Sequence, residues 1–279
     1  MQIQPKLLTV IIANEDLAKC YTTIRSVQQT RYRNHEIVAV VPSYLQPICK
    51  RLRQDFNWLP IITDPVASLS TLMQIAIERA QYSHVDAICF VQAGTHLETA
   101  FLSQFTMYLR NHPKIGLFMP AVMRPEGRVV FGADQKGQWP HHLQAIPTPP
   151  ADNADIMGTH LLGPVCLIRL ESCSKQAFSE LNDDLALLYW TEKMIAHGLK
   201  TLSATTLTVF YDGTLYSDLT ESVVVPSRWY SDVERYISTY GKWYDKVGFF
   251  IRYRWRREGG VFSKLIDYWL TDNHAYKLP

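Results

Sequence analysis

The strongest constraint on this chain of 279 residues is a set of short apolar runs, rich in β-branched residues, each followed by a stretch with helical spacing. Residues 7–13 (LLTVIIA) carry no charge and break at Asn14, Glu15 and Asp16. A run without polar alternation reads as a strand buried on both faces. A helix follows to about Gln29, capped by Asn14 or Asp16, with Leu17, Tyr21, Ile24 and Val27 on its inward face. Residues 36–41 read as a second strand stopped by Pro42, 44–55 as a helix and 59–62 as a short strand. Ser68 opens a helix carrying Leu72, Ile75, Ala76 and Ala80 on one side, and 87–91 is again apolar throughout. Strands separated in this way make βαβ units and a parallel sheet whose strand C-termini share one edge. The turns after Ala13, Val41 and Val91 are therefore the expected place for ligand chemistry.

The second half is less regular. Residues 116–122 read as a strand, 125–132 as a turn into a short strand, 144–155 as a loop and 161–170 as a buried run. Residues 183–197 read as a helix stopped by Gly198, and 200–211 as a strand. His141, His142 and His160 have no carboxylate or cysteine spacing beside them and read as loop histidines rather than a metal site. Asp152 and Asp155 read as solvated loop acids. Five cysteines form no CxxC pair and read as reduced core thiols of a cytosolic protein. The 28 basic and 26 acidic residues nearly balance, so no field points to nucleic acid. No apolar run reaches the roughly 18 residues a membrane span needs, and the first residues lack a signal-peptide cleavage site.

From Tyr216 aromatic residues crowd the chain, and between 242 and 264 only Asp245 and Glu258 oppose seven lysines and arginines. Such a segment suits an anionic membrane surface, with Arg252, Arg254, Arg256 and Arg257 as its cationic centre. It equally suits a helical tail packed on the domain. The division expected is a domain of residues 1–215 and a helical extension of residues 216–279.

Several segments, in order, resemble the inverting family 2 glycosyltransferases. LLTVIIA followed by SVQQTRYRNHEIVAVV is similar to the family's opening strand, helix and second strand, and SLSTLMQIAIERA to its "ARN.GI..A" helix. DAICFVQAGTHLE lies where the family has "DYI.FLDADD", and HPKIGLFMPAVMRPEGRVVFGA follows "P.VG.VGP.....DG.I..AG". GPVCLIRLESCSKQAF and EKMIAHGLK are similar to the two segments that close the pattern. The resemblance covers residues 7–215. It implies an α/β GT-A fold, a mostly parallel sheet flanked by helices, and a nucleotide-diphosphate sugar as donor. A lipid-linked or surface-polysaccharide acceptor at the inner membrane face would be the partner.

The resemblance also places the site and shows where this chain departs from it. The acids that contact the base are replaced by Val41, Pro42 and Ser43, and the metal-binding D-x-D by Gln92, Ala93 and Gly94, followed by Thr95. A neutral amide is a poor ligand for a hard divalent ion, so no metal cofactor is expected. The strand-end histidine corresponds to Tyr211 or Asp212. Ala13, Asn14 and Glu15 fall at the nucleotide edge, and Lys193 takes the place of an arginine near phosphate. The catalytic acidic pair falls on Ala186 and Leu187. Asp184 or Asp183, one turn earlier, would be a shifted base, although both also read as caps of that helix. Loss of base, metal and catalytic acids together leaves open a pseudo-glycosyltransferase that binds a glycan or a protein without turnover.

Overall fold

The computed structural model describes residues 4–14, 16–65, 67–134, 144–146, 154–161, 163–173, 186–213 and 238. The chain divides into two compact units, residues 1–135 with 145–215 and residues 136–144 with 216–279. The fold below is that of the first unit.

Its strands are β1 (Leu7–Ile12), β2 (His35–Val40), β3 (Ile61–Ile62), β4 (Ala87–Gln92), β5 (Thr95–His96), β6 (Leu117–Met123) and β7 (Val129–Val130). Then follow β8 (Ala133–Asp134), β9 (Gln144–Ala145), β10 (Ile156–Met157), β11 (Val165–Arg169) and β12 (Thr201–Tyr211). The helices are α1 (Leu17–Gln28), α2 (Gln46–Asp55), α3 (Leu69–Tyr82), α4 (Phe101–Asn111) and α5 (Ala186–Ala196). The central sheet runs β10-β12-β6-β11-β4-β1-β2-β3.

β1 lies parallel between β2 and β4, with Leu7 opposite both His35 and Ala87. All six of its residues are buried, which requires a layer on each face. The connections through α1 and α2 move along the sheet in one direction and that through α3 in the other, so right-handed crossovers put α3 on the opposite face. Leu8, Val10 and Ile12 join Leu72, Met73 and Ala76 of α3 and Leu187, Trp190 and Met194 of α5 in one core cluster. Trp190 meets Phe90 edge to face, ring centroids 5.8 Å apart. On the other face Tyr108 of α4 packs against Phe118 of β6.

The α/β sheet flanked by helices follows the sequence reading, with differences that have physical reasons. The helix at 17–28 is capped by Asp16, whose carboxylate accepts from the Lys19 N–H at 2.9 Å. β11 runs antiparallel to both β4 and β6. The sheet is therefore mixed in this half. α4, unassigned from the sequence, buries Phe101, Leu102, Phe105 and Leu109. That spacing is helical, but it is short and diluted by polar residues. All five cysteines are buried and free, and burial pushes the Cys89 and Cys173 thiols up to about 12.

His160 is not a loop histidine in solvent. It is 5% exposed, and its Nδ1 lies 2.6 Å from Oε1 of Glu192 on α5, itself 3% exposed. The pair fixes the approach to β11 against the helix that covers the sheet. The sequence hides it because 32 residues separate the partners. Asp155 likewise is a bonded acid rather than a solvated one, taking up Tyr108 Oη at 3.3 Å and the Thr205 N–H at 3.2 Å. Removing one partner of a buried pair strands the other, so Glu192→Ala is expected to cost roughly 2–4 kcal/mol of unfolding free energy and Glu192→Gln less. Urea denaturation measures both; equal stability of all three proteins would show that the pair does not hold α5.

Candidate functional site

β1, β2 and β4 are parallel, β11 is antiparallel to β4 and β6, and β12 is parallel to β6. The C-terminal ends of β1, β2, β4, β6 and β12 therefore share one edge. Ala13 extends β1 there, its N–H donating to Val40 O at 2.9 Å, and Asn14 is 5% exposed. Val41 extends β2 by donating to Ile62 O at 3.0 Å, and half-buried Ser43 starts a helical turn. Asp64, just past β3 at the same edge, accepts from the Ala67 N–H at 3.0 Å. Sequence reasoning missed this acid, although it sits one short strand away from Val41, Pro42 and Ser43.

The chain leaves β4 through Gln92, Ala93, Gly94 and Thr95. Gly94 has φ +92°, a left-handed conformation that glycine adopts without strain. Its carbonyl accepts from the Asp212 N–H at 3.0 Å. Thr95 is fully buried, and its backbone N–H and C=O both bond Thr23 Oγ1 of α1, at 3.1 and 2.9 Å. Thr95 and His96 then pair with Tyr211 and Phe210 at the end of β12. The strand ends of β4 and β12 are thus laced together.

That lacing sets the chemistry. Tyr211, 2% exposed, donates its hydroxyl to Gln92 Oε1 at 3.2 Å. Arg124, at the end of β6, stands over the Tyr211 ring with its guanidinium carbon 5.6 Å from the centroid. Its Nη1 donates to the carbonyl oxygens of Tyr211 and Gly213. Gly213 lies against the Tyr211 phenol so closely that any side chain there would collide with it. Glu126 approaches Arg124 Nε at 3.7 Å but is 58% exposed, so water screens its effect on the cation. Tyr211 stood in the sequence as one of two stand-ins for the strand-end histidine; Arg124 was missed. Its signal was its position, directly after β6, whose C-terminal end reaches this edge.

These residues do not fit a bound divalent cation. Gln92 offers a neutral oxygen already engaged with Tyr211, Gly94 offers no side chain, and Tyr211 is a phenol. Asp212 is a single exposed carboxylate. Hard divalent ions are held by several oxygens, most of them charged. Among the described residues no three His, Cys, Asp or Glu side chains gather in a metal-holding group.

Of the other expected site residues, Lys193 lies on α5. Glu15, Asp183, Asp184, Arg252, Arg254, Arg256 and Arg257 fall outside the described residues. No helix among the described residues is long and apolar enough to cross a membrane.

No family model and no curated protein matches the sequence. Solved structures do match the fold. A structure of GalNAc-T7 with UDP, GalNAc and Mn²⁺ aligns with a TM-score of 0.61 at 12% identity, over 89% of this chain and 50% of that one. Mannosyltransferase PcManGT from Pyrobaculum calidifontis, in complex with GDP-Man and Mn²⁺, aligns with a TM-score of 0.55 at 11% identity, over 85% of this chain and 64% of that one. The chain thus spans half to just under two thirds of the length of these neighbours. Its mixed α/β sheet flanked by helices is the GT-A glycosyltransferase fold.

Proposed function

We propose that this chain binds a nucleotide-diphosphate sugar along the C-terminal strand edge and transfers the sugar to an acceptor hydroxyl without a resident divalent ion. The observation that carries the reading is the cluster of Gln92, Tyr211 and Arg124 where the family 2 pattern has its acids and histidine. A diphosphate leaving group needs positive charge or hydrogen-bond donors aimed at its oxygens. Arg124 supplies a permanent cation, and Lys193 a second. Gln92 and the backbone around Gly94 supply neutral contacts, and Ala13, Asn14, Val41 and Ser43 frame the nucleoside.

Deprotonation of the attacking hydroxyl is assigned to Asp184, with Asp183 as the alternative on the same predicted turn. The acceptor would be a lipid-linked or surface polysaccharide, reached from the cytoplasmic side. The basic, aromatic extension from residue 216 would hold the enzyme at that membrane. The likeness to enzymes solved with UDP and GDP-Man supports the donor class.

A second reading, a pseudo-glycosyltransferase that binds a glycan or a protein without turnover, is favoured by the neutral Gln92, Ala93 and Gly94 standing in place of metal-binding acids. The two readings separate in one experiment. Calorimetric titration with UDP, GDP, dTDP and their sugar conjugates is expected to give micromolar binding of one nucleotide, equal in EDTA and in Mn²⁺. Arg124→Gln should weaken that binding by about 10–100-fold while leaving the free nucleoside unaffected, as for loss of a charged hydrogen bond. Arg124→Lys should recover part of it. Binding of none of these nucleotides by the folded protein supports the pseudoenzyme; strong dependence on Mn²⁺ overturns the metal-free site.

The membrane assignment has its own check. Replacing Arg252, Arg254, Arg256 and Arg257 together by glutamine should abolish sedimentation with anionic vesicles, because each cation near the surface contributes about 1 kcal/mol. Unchanged sedimentation would leave the extension as a packed tail.

A further inference from the structure

A hollow of about 490 Å³ lies on the face of the sheet that carries α4, away from the strand edge described above. Its size is that of a small-molecule site. One wall is α4, where Gln104, Tyr108 and Asn111 follow the i, i+4, i+7 spacing that puts them on one side, with His112 one residue on. The other wall is made by Asp155 and by Thr206 of β12.

β12 opens at this point. Its register against β6 passes from Ala204 opposite Pro120 directly to Thr208 opposite Ala121, so residues 205–207 bulge out of the ladder. Bulges of this kind re-aim side chains next to functional sites. Here the bulge is tied down. The Thr205 N–H donates to Asp155 Oδ1 at 3.2 Å, and Tyr108 Oη bonds both Asp155 Oδ1, at 3.3 Å, and Thr206 Oγ1, at 3.0 Å. The Tyr108 ring stacks on His112, centroids 5.9 Å apart and planes 17° from parallel. Burial and the Asp155 charge raise the Tyr108 phenol above its usual range, so it stays a hydroxyl at neutral pH.

We propose that this hollow is a binding site for a neutral oligosaccharide, separate from the donor edge. Two carboxamides, a carboxylate and two hydroxyls provide both donors and acceptors at fixed positions, as vicinal sugar hydroxyls require. The aromatic ring and the flanking Met107 and Leu207 offer apolar surface for the C–H face of a pyranose. No lysine or arginine lines the hollow among the described residues, which disfavours phosphate and nucleotide. Thr206 and Tyr211 are five residues apart on β12, so the two sites lie about 16 Å apart along the strand if it is extended, less through the bulge. The site would hold a stretch of glycan remote from the reacting hydroxyl.

Saturation-transfer NMR on the full chain tests this with maltotriose, cellotriose, mannotriose and tri-N-acetylchitotriose as probes, and inorganic phosphate as control. At least one trisaccharide is expected to bind in the millimolar range, unaffected by UDP or GDP. The double variant Gln104→Ala/Asn111→Ala changes only exposed positions of α4 and should weaken that binding by about 10-fold or more, with unchanged thermal stability. Tyr108→Phe, which removes only the hydroxyl, should weaken it as well. Failure of all four sugars to bind, binding that ignores these substitutions, or competition by phosphate would overturn the proposal. None of these outcomes depends on whether the donor edge binds nucleotide.

Discussion

The complete burial of β1 is the constraint from which the rest of the molecule follows. Its six residues expose nothing on either face. Each apolar side chain so buried contributes about 1.5–3 kcal/mol, but only if both faces are roofed. The α3–α5 layer roofs one face and the layer containing α4 the other. Parallel neighbours on each side then bring the ends of β1, β2 and β4 to the same level. The proposed donor site lies where that requirement lapses, at the edge where strands give way to turns.

This explains which parts could be read from the sequence. β1 and β4 announce themselves as buried apolar runs and β2 by its apolar second half, so these strands and the helices between them were legible. The end of α5 was legible from Gly198, which takes φ +93° just past the helix. The direction of β11 was not, because its apolar run is the same read either way and only the preceding loop decides it. α4 was missed because its four buried apolar residues are interspersed with polar ones, some of which line a hollow. His160, Asp155 and Arg124 were missed or misread for one reason: each acts through a partner at least 30 positions away, and sequence spacing carries no signal for such a contact.

At the proposed donor edge, resemblance supplies the positions and geometry supplies their partners. Resemblance points to Gln92 and Gly94 and to the acids absent there. Only the structure joins Gln92 to Tyr211 through a hydrogen bond and sets Arg124 above that tyrosine. The physical problem at this edge is charge. A diphosphate bound there would bring negative oxygens into a partly buried site, where unbalanced charge is expensive. A divalent ion held by carboxylates is one solution; a guanidinium anchored by main-chain carbonyls over a neutral pair is another, and it requires no acids.

The central claim is that a diphosphate sits at Gln92 and Arg124 with no ion between. Its most direct measurement is a crystal structure of the chain grown with UDP or GDP, whichever binds, in the presence of EDTA. The account predicts diphosphate density within hydrogen-bonding reach of the Arg124 guanidinium and the Gln92 amide, with the nucleoside over Ala13 and Val41. Density that appears there only after Mn²⁺ is supplied, with an anomalous peak beside Asp212, would contradict it.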